Sequence, residues 1–380
     1  MSVYLDYNAT TPLDEKVLQA MLPYLEQRFG NASSRHEYGR LARKAIEDAR
    51  EQVADAVRAH PSQVVFMSGG TEANNLALKG ALACLKPSQL VVSAIEHPSV
   101  MYPAQEMVKQ GWKLRKLATN GQGQVDLRDV ELALQEPTGL VSVMLANNET
   151  GVLQNVAGIA EQARKWGAWI HTDAVQALGK VEVNFAELNV HAMTLSAHKV
   201  YGPQGAAALV IDKRLELNPQ ITGGGHEKGL RAGTENVAAI VGFGAACELA
   251  QARLAYLPQR LLQMRDNLEM GLSEMDAVIF GQTVARLPNT SFFAFPGIEG
   301  ETLVMELDRA GFAVASGSAC SSGSMDPSSV LMAMGVERER ARGAVRVSLG
   351  KDNTDAHIGA FLQAVQSVLT RLKKLSAVAM

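Results

Sequence analysis

Four short polar clusters carry side chains that could do chemistry. In SGGTEANN (68–75), glycines precede Thr71 and a helical pattern. Free N–H groups at a helix start, together with the helix dipole, suit a phosphate. A plain glycine turn with a Thr cap would use the same residues. The segment matches neither the Gly-x-Gly-x-x-Gly dinucleotide fingerprint nor a Walker loop. In HTDAVQ (171–176), Asp173 ends an apolar run. A carboxylate there suits a pyridinium nitrogen, which needs an anion to stay protonated. Gln176 can reach the same ligand, and a capping Asp is the plainer alternative. In SAHKVYGP (196–203), Lys199 follows an apolar run and precedes a Gly-Pro turn. Burial in a cleft strips a lysine of its charge, as a Schiff-base lysine requires; a surface lysine is the other reading. In ASGSACSSGSMDP (315–327), Cys320 sits among Gly and Ser. Free cysteines usually pack in cores, and these flanks are not core-like, which favours a reactive thiol.

The elements that must position these clusters are legible as an alternation. Apolar runs VVFMS (64–68), LVVSAI (90–95), LVSVMLA (140–146), AWIHTD (168–173), AMTLSA (192–197) and AAALVI (206–211) are separated by helical patterns such as Val156–Lys165 and Asp126–Gln135. Short continuous apolar runs are expected of strands buried on both faces, so an α/β domain with a largely parallel sheet is predicted. In such a sheet ligands bind beyond the carboxyl ends of the strands, and the four clusters are read as loops that follow strands. After about Ala255 the pattern changes. A helix over Gln259–Met275 leads to strand-like AVIFG and SFFAF, a helix near Glu301–Arg309, strand-like RVSLG (346–350) and a last helix from about Thr354 to Leu375. That reads as a smaller α+β domain. The boundaries expected are 13–257 for the large domain, with 1–12 and 258–380 forming the small one.

Composition excludes several classes. With 380 residues, 47 % hydrophobic and 20 % charged, the chain reads as a soluble globular protein of two domains. A net charge of -3 gives no case for nucleic acid or an anionic membrane as partner, and the Arg338–Arg342 cluster reads as a solvated face. The N-terminal MSVYLDYNATTPLDEK lacks a signal-peptide pattern, and no apolar run is long enough to span a bilayer. Cys84, Cys247 and Cys320 are far apart and odd in number. They support neither a disulfide framework nor a zinc knuckle, so a cytoplasmic location is expected.

Taken together, a phosphate cup, then Asp173, then Lys199 resembles the order in fold-type I pyridoxal 5'-phosphate (PLP) enzymes. The resemblance extends along essentially the whole chain. YLDYNATTP, NASSRHEYG, SGGTEANN, EHPSV, NNETG, HTDAVQ, SAHKVYGP, GGGHEKGLRAGTEN and SGSACSSGS occur in the order seen in cysteine desulfurases. The chain is most similar to the group with a long catalytic-cysteine loop, which serves nitrogenase or general iron–sulfur cluster assembly.

The resemblance implies specific roles. Lys199 is the Schiff-base lysine and moves the Cα proton; Asp173 pairs with the pyridinium nitrogen; His97 lies against the ring as an acid/base group. Gln176 and Asn148 hold the phenolic oxygen and the substrate end of the site. Gly70, Thr71, Ser196 and His198 bind the phosphate, and Thr234 reaches it from a second subunit of a homodimer, as His226 nearby would. Arg346 clamps the substrate carboxylate. Cys320 takes sulfur from L-cysteine, leaving L-alanine, and hands it to an iron–sulfur scaffold or another sulfur-acceptor protein. No stably bound metal is implied, only a transient iron–sulfur contact of Cys320. The chain closes on TRLKKLSAVAM where housekeeping members carry a longer tail that helps dock the scaffold, so the acceptor stays open. A selenocysteine lyase or class V aminotransferase is the alternative within the superfamily. A PLP-bound scaffold or a nucleotide-binding protein is the alternative outside it.

Overall fold

The computed structural model describes residues 2–317 and 326–379, and side chains through residue 374. Cys320 lies outside the described residues. A short strand β1 (Val3–Tyr4) opens the chain. A seven-stranded sheet follows, made of β2 (Val64–Met67), β3 (Gln89–Ser93), β4 (Lys113–Leu117), β5 (Thr138–Ser142), β6 (Trp169–Asp173), β7 (Ala192–Ser196) and β8 (Ala207–Ile211). Their order is β2-β8-β7-β6-β5-β3-β4. Only β8 runs against its neighbours; β3 to β7 pair in parallel.

The period-2 geometry of a strand explains the unbroken apolar runs. Val64 and Phe66 pack on one face with Val53 and Phe243, while Val65 and Met67 pack on the other with Leu76 and Met107. Helices cover both faces, so each residue of β2 is buried. The six runs read from the sequence all become strands. β4 was not among them, and the reason is physical. It is the edge strand, paired only with β3, and the three charged residues of its KLRKL sequence are exposed. Charge on an edge blunts pairing with other chains and erases the apolar signal.

The C-terminal half builds a second sheet from β9 (Val278–Ile279), β10 (Thr290–Ala294), β12 (Ala315–Ser316) and β13 (Ala344–Ser348), all antiparallel, while β11 (Phe312–Ala313) pairs with β1. Helices Leu257–Ser273, Gly300–Arg309 and Asp355–Ala379 pack against it around Phe293, Phe361, Leu268 and Leu307. The long helix read near Gln259 begins two residues earlier, with Pro258 in its first turn, where the missing N–H costs nothing. No single helix among the described residues is long and apolar enough to cross a membrane.

The N-terminal segment ties the two sheets together. Tyr7 N donates to Ser348 O (3.1 Å) and Asn8 N to Ser348 Oγ (2.9 Å) on β13. Three residues on, Thr11 N and Oγ1 both donate to His198 O at 3.0 Å, just after β7. Gly350 lies against this strap: a Cβ there would come within 2.0 Å of the Tyr7 ring.

Candidate active site

The carboxyl ends of β5, β6 and β7 and the helix after β2 converge on one cavity of about 200 Å³. Gly70, Thr71, His97, Asn148, Asp173, Gln176, Ser196, His198 and Lys199 all line it. Residues more than a hundred positions apart meet there because every βα crossover returns the chain to the same end of the sheet.

Asp173 is buried at the end of β6. Its Oδ1 accepts from Val175 N (3.0 Å) and its Oδ2 from Asn74 Nδ2 (2.7 Å). Asn74 also donates to Ser99 Oγ (2.8 Å), which lies 2.7 Å from His97 Nδ1. Asn74 carried no role in the sequence reading. It lies in the quoted SGGTEANN motif one helical turn after Gly70, a spacing that puts both on one helix face.

His97 is the N-cap of helix Pro98–Val108 and its Nδ1 accepts from Ser99 N (3.1 Å). That bond leaves Nε2 to carry the proton of the neutral ring. Burial holds His97 below the usual histidine range; Asp173 pulls it up and Lys199 pushes it down. Burial, with Lys199 and Lys180, also lowers His198 to about 4. Glu96, which precedes His97 in sequence, is pushed up to about 8 by burial, with Asp173 adding to the rise and Ser93 and Met144 N opposing it.

Lys199 Nζ donates to the backbone oxygens of Asn8 and Ala9, both at 2.6 Å. Gln176 Nε2 donates to the same Asn8 oxygen (3.0 Å). Asn8 and Ala9 are thus the strap residues that receive the amine, although the sequence assigned them nothing.

The phosphate end can be tested on what the protein leaves unpaired. Ser196 Oγ is buried and has no hydrogen-bond partner among the described residues. Gly69, the N-cap of helix Gly70–Asn75, supplies no side-chain cap, so the first N–H groups stay open. A Cβ on Gly70 would press to 3.2 Å on Val175 Cγ2, so the backbone approaches the strand ends closely. A buried unpaired hydroxyl beside uncapped N–H groups is a donor set for an anionic oxygen cluster. With a carboxylate and a lysine opposite, these residues fit PLP.

Two assigned residues do not line the cavity. Thr234 is exposed on this chain, after the glycine-rich turn that holds His226. Arg346 lies behind Asn148. Its Nη1 donates to Asn148 O (2.9 Å), its Nη2 pairs with Asp6 (2.6 Å), and its buried Nε has no partner among the described residues. Ala315, close before Cys320, is directly paired with Arg346 across β12 and β13. Beyond the undescribed segment, Ser328 Oγ donates to Glu149, next to Asn148.

Burial pushes the Glu149 carboxyl up to about 7, against the Ser328 hydroxyl and the Arg346 charge. A carboxyl raised in the folded protein keeps a proton that the unfolded chain has lost. Its stabilising contribution is whole below the usual carboxylate pKa and is lost as pH rises through about 7. Glu149→Gln should therefore gain on wild type by about 2–3 kcal/mol between about pH 5 and about pH 8. Denaturant midpoints of both proteins at the two pH values measure it, and a pH-independent difference would count against it.

Comparison with known proteins agrees with this geometry. The family described as aminotransferase class-V matches residues 3–361. The chain is 42% identical over 378 residues to "Cysteine desulfurase IscS" of Dictyoglomus turgidum, covering 98% of this chain and 96% of that protein. A solved structure titled "NIFS-LIKE PROTEIN" superposes with a TM-score of 0.92 at 36% identity, covering 97% of this chain and 100% of the other. Another, "SspA in complex with cysteine", gives a TM-score of 0.82 at 33% identity over 92% of this chain and 99% of that one. Matched in sequence and in fold along nearly its whole length, the chain belongs to the class-V aminotransferase family, among its cysteine desulfurases.

Proposed function

We propose that this protein binds PLP in the cavity around Lys199 and moves the sulfur of L-cysteine to Cys320, forming L-alanine. The observation that carries the reading is the meeting of Lys199, Asp173, His97 and the unpaired Ser196 hydroxyl in one cavity. Bound PLP supplies an electron sink for the Cα–H bond of the substrate. The chain's own residues do the rest. Ser196, His198, Thr71 and the N–H groups near Gly70 hold the phosphate. Asp173, fixed by Asn74 and Val175 N, keeps an anion beside the ring nitrogen. Lys199 holds the cofactor covalently and carries the Cα proton. His97 presents Nε2 to the substrate side. Cys320 thiolate forms the new S–S bond as the Cβ–S bond breaks, and the carbon fragment takes up a proton. Enzyme thiol plus cysteine becomes enzyme persulfide plus alanine, so atoms and electrons balance.

The related SspA was solved in complex with cysteine, which supports the same substrate here. The working form is a cytoplasmic homodimer, with Thr234 reaching the phosphate of the partner's site and sulfur passing to an iron–sulfur scaffold or another acceptor. The test is the absorbance of the purified protein with and without L-cysteine, together with an assay of products. A visible PLP band that shifts on adding cysteine, with alanine and sulfide formed one to one under reductant, is expected. Amino-group transfer without sulfide would make it an aminotransferase instead.

Arg346 bears on the same reading. A guanidinium can hold its neighbours and still offer a fork to a carboxylate, whereas an ammonium is a point charge. Arg346→Lys should raise KM for cysteine by about tenfold to a hundredfold, the equivalent of about 1.5–3 kcal/mol, with PLP still bound. Steady-state kinetics check it; an unchanged KM removes Arg346 from the substrate site. Sedimentation tests the dimer, and an active monomer at working concentration would overturn that part.

A further inference from the structure

Lys180 follows Gly179 in the turn after β6, is only 7% exposed and has no role in the chemistry described. Its Nζ donates to Gln176 Oε1 (2.7 Å) and Asn8 Oδ1 (2.9 Å). No carboxylate among the described residues pairs with it. Burial, and the charges of Lys199 and Arg346, hold it well below the usual lysine range. A lysine buried without a counter-ion is costly, and Met would fill the same space without that cost. Its cost is offset only if the amine does something a methyl cannot.

An amine donates to both of these oxygens in either protonation state. It therefore decides which way the Gln176 amide is turned. Oε1 is turned to Lys180, so Nε2 of this cavity-lining side chain is turned away from it, where one N–H meets Asn8 O (3.0 Å) and the other has no partner among the described residues. Asn8 is held in the same way. With Oδ1 taken by Lys180 and Asn289 Nδ2 (3.1 Å), its Nδ2 is turned to Asn148 O (3.2 Å) and Thr290 Oγ1 (2.9 Å). That fixes the strap whose backbone oxygen receives Lys199.

We propose that Lys180 is a positioning residue that locks the Gln176 amide with its N–H toward the cavity, so that this wall of the site accepts an anionic oxygen. This rests on the PLP reading, in which that oxygen is the ring's phenolic one. A donor fixed at that oxygen stabilises its ionised form and lowers the pH at which the bound cofactor changes colour.

The test is a pH titration of the visible absorbance of the PLP-loaded protein. Lys180→Met should raise the midpoint by about one pH unit, a tenfold change in proton affinity. Gln176→Leu should raise it similarly. The double variant should shift no further than the larger single one, because both remove the same donor. Lys180→Gln keeps a shorter donor and should raise the midpoint by less than Met does; it also stands in if the Met variant does not fold. An unchanged midpoint in the Lys180 variants, with only a fall in melting temperature, would reduce Lys180 to a structural residue. Additive shifts in the double variant would separate it from Gln176 and overturn the proposal equally. A wild-type protein that takes up no PLP would instead fail the functional reading itself, a result visible before any variant is made.

Discussion

Cys320→Ser protein loaded with PLP is expected to change its spectrum on adding L-cysteine, yet to release at least about a thousandfold less alanine and sulfide than wild type. The two halves of that outcome come from different residues. Lys199, His97 and Asp173 line the cavity and need no thiol to bind substrate or take its Cα proton. Moving the sulfur needs a thiolate, and a serine hydroxyl stays protonated near neutral pH. The described residues flanking Cys320 lead toward the same place. Gly317 N donates to Ala344 O (2.9 Å) at the start of β13, and Ser328 bonds Glu149 beside Asn148. Wild type given cysteine without reductant should gain one sulfur on the peptide containing Cys320. Cys247 is buried, and burial raises its thiol far above the usual range, so it should stay unmodified. Cys84 is exposed but lies outside the cavity lining and should stay unmodified too. Peptide mass spectrometry decides between them. Sulfur on Cys84 or Cys247, or full activity in the Ser variant, would leave a plain lyase or an aminotransferase as the better reading.

Lys199→Ala should be the other near-complete loss. The amine is poised at 2.6 Å from two backbone oxygens of the strap and lines the cavity opposite Asp173. Among the described residues no other lysine lines the cavity: Lys180, a buried amine, is committed to Gln176 and Asn8. Borohydride should fix PLP to the wild-type chain and leave the Ala variant unlabelled. Turnover should fall by at least about a thousandfold, since both the covalent anchor and the proton carrier are gone. PLP should still bind non-covalently, because Ser196 and the helix start at Gly70 remain. Covalent labelling of the Ala variant would point to another lysine, with Lys180 the first to examine.

Much of this molecule is written locally. The apolar runs and helical patterns are set by whether each residue faces a core, and a continuous apolar run marks each central strand buried on both faces. Where tertiary context overrules the pattern, the reading failed: β4 is a strand because it pairs with β3, although its residues are mostly charged and exposed. The site was legible as residue types at strand ends. Gly70, Asp173, Ser196 and Lys199 are separated along the chain yet share one address in an α/β sheet, and motif order carried the rest.

What the sequence determined by itself was therefore which residues meet in the cavity and the end of the sheet on which they lie. Only the tertiary structure decided how those groups are held. Asn74 grips Asp173, Asn8 receives Lys199, Lys180 turns Gln176, and Asp6 shares Arg346. Three of these are hydrogen bonds between residues distant in sequence, and the fourth, Lys180 to Gln176, closes within one turn. Burial makes each geometry selective, because an amide, amine or carboxylate removed from water must find a partner, and which partner is in reach depends on packing alone.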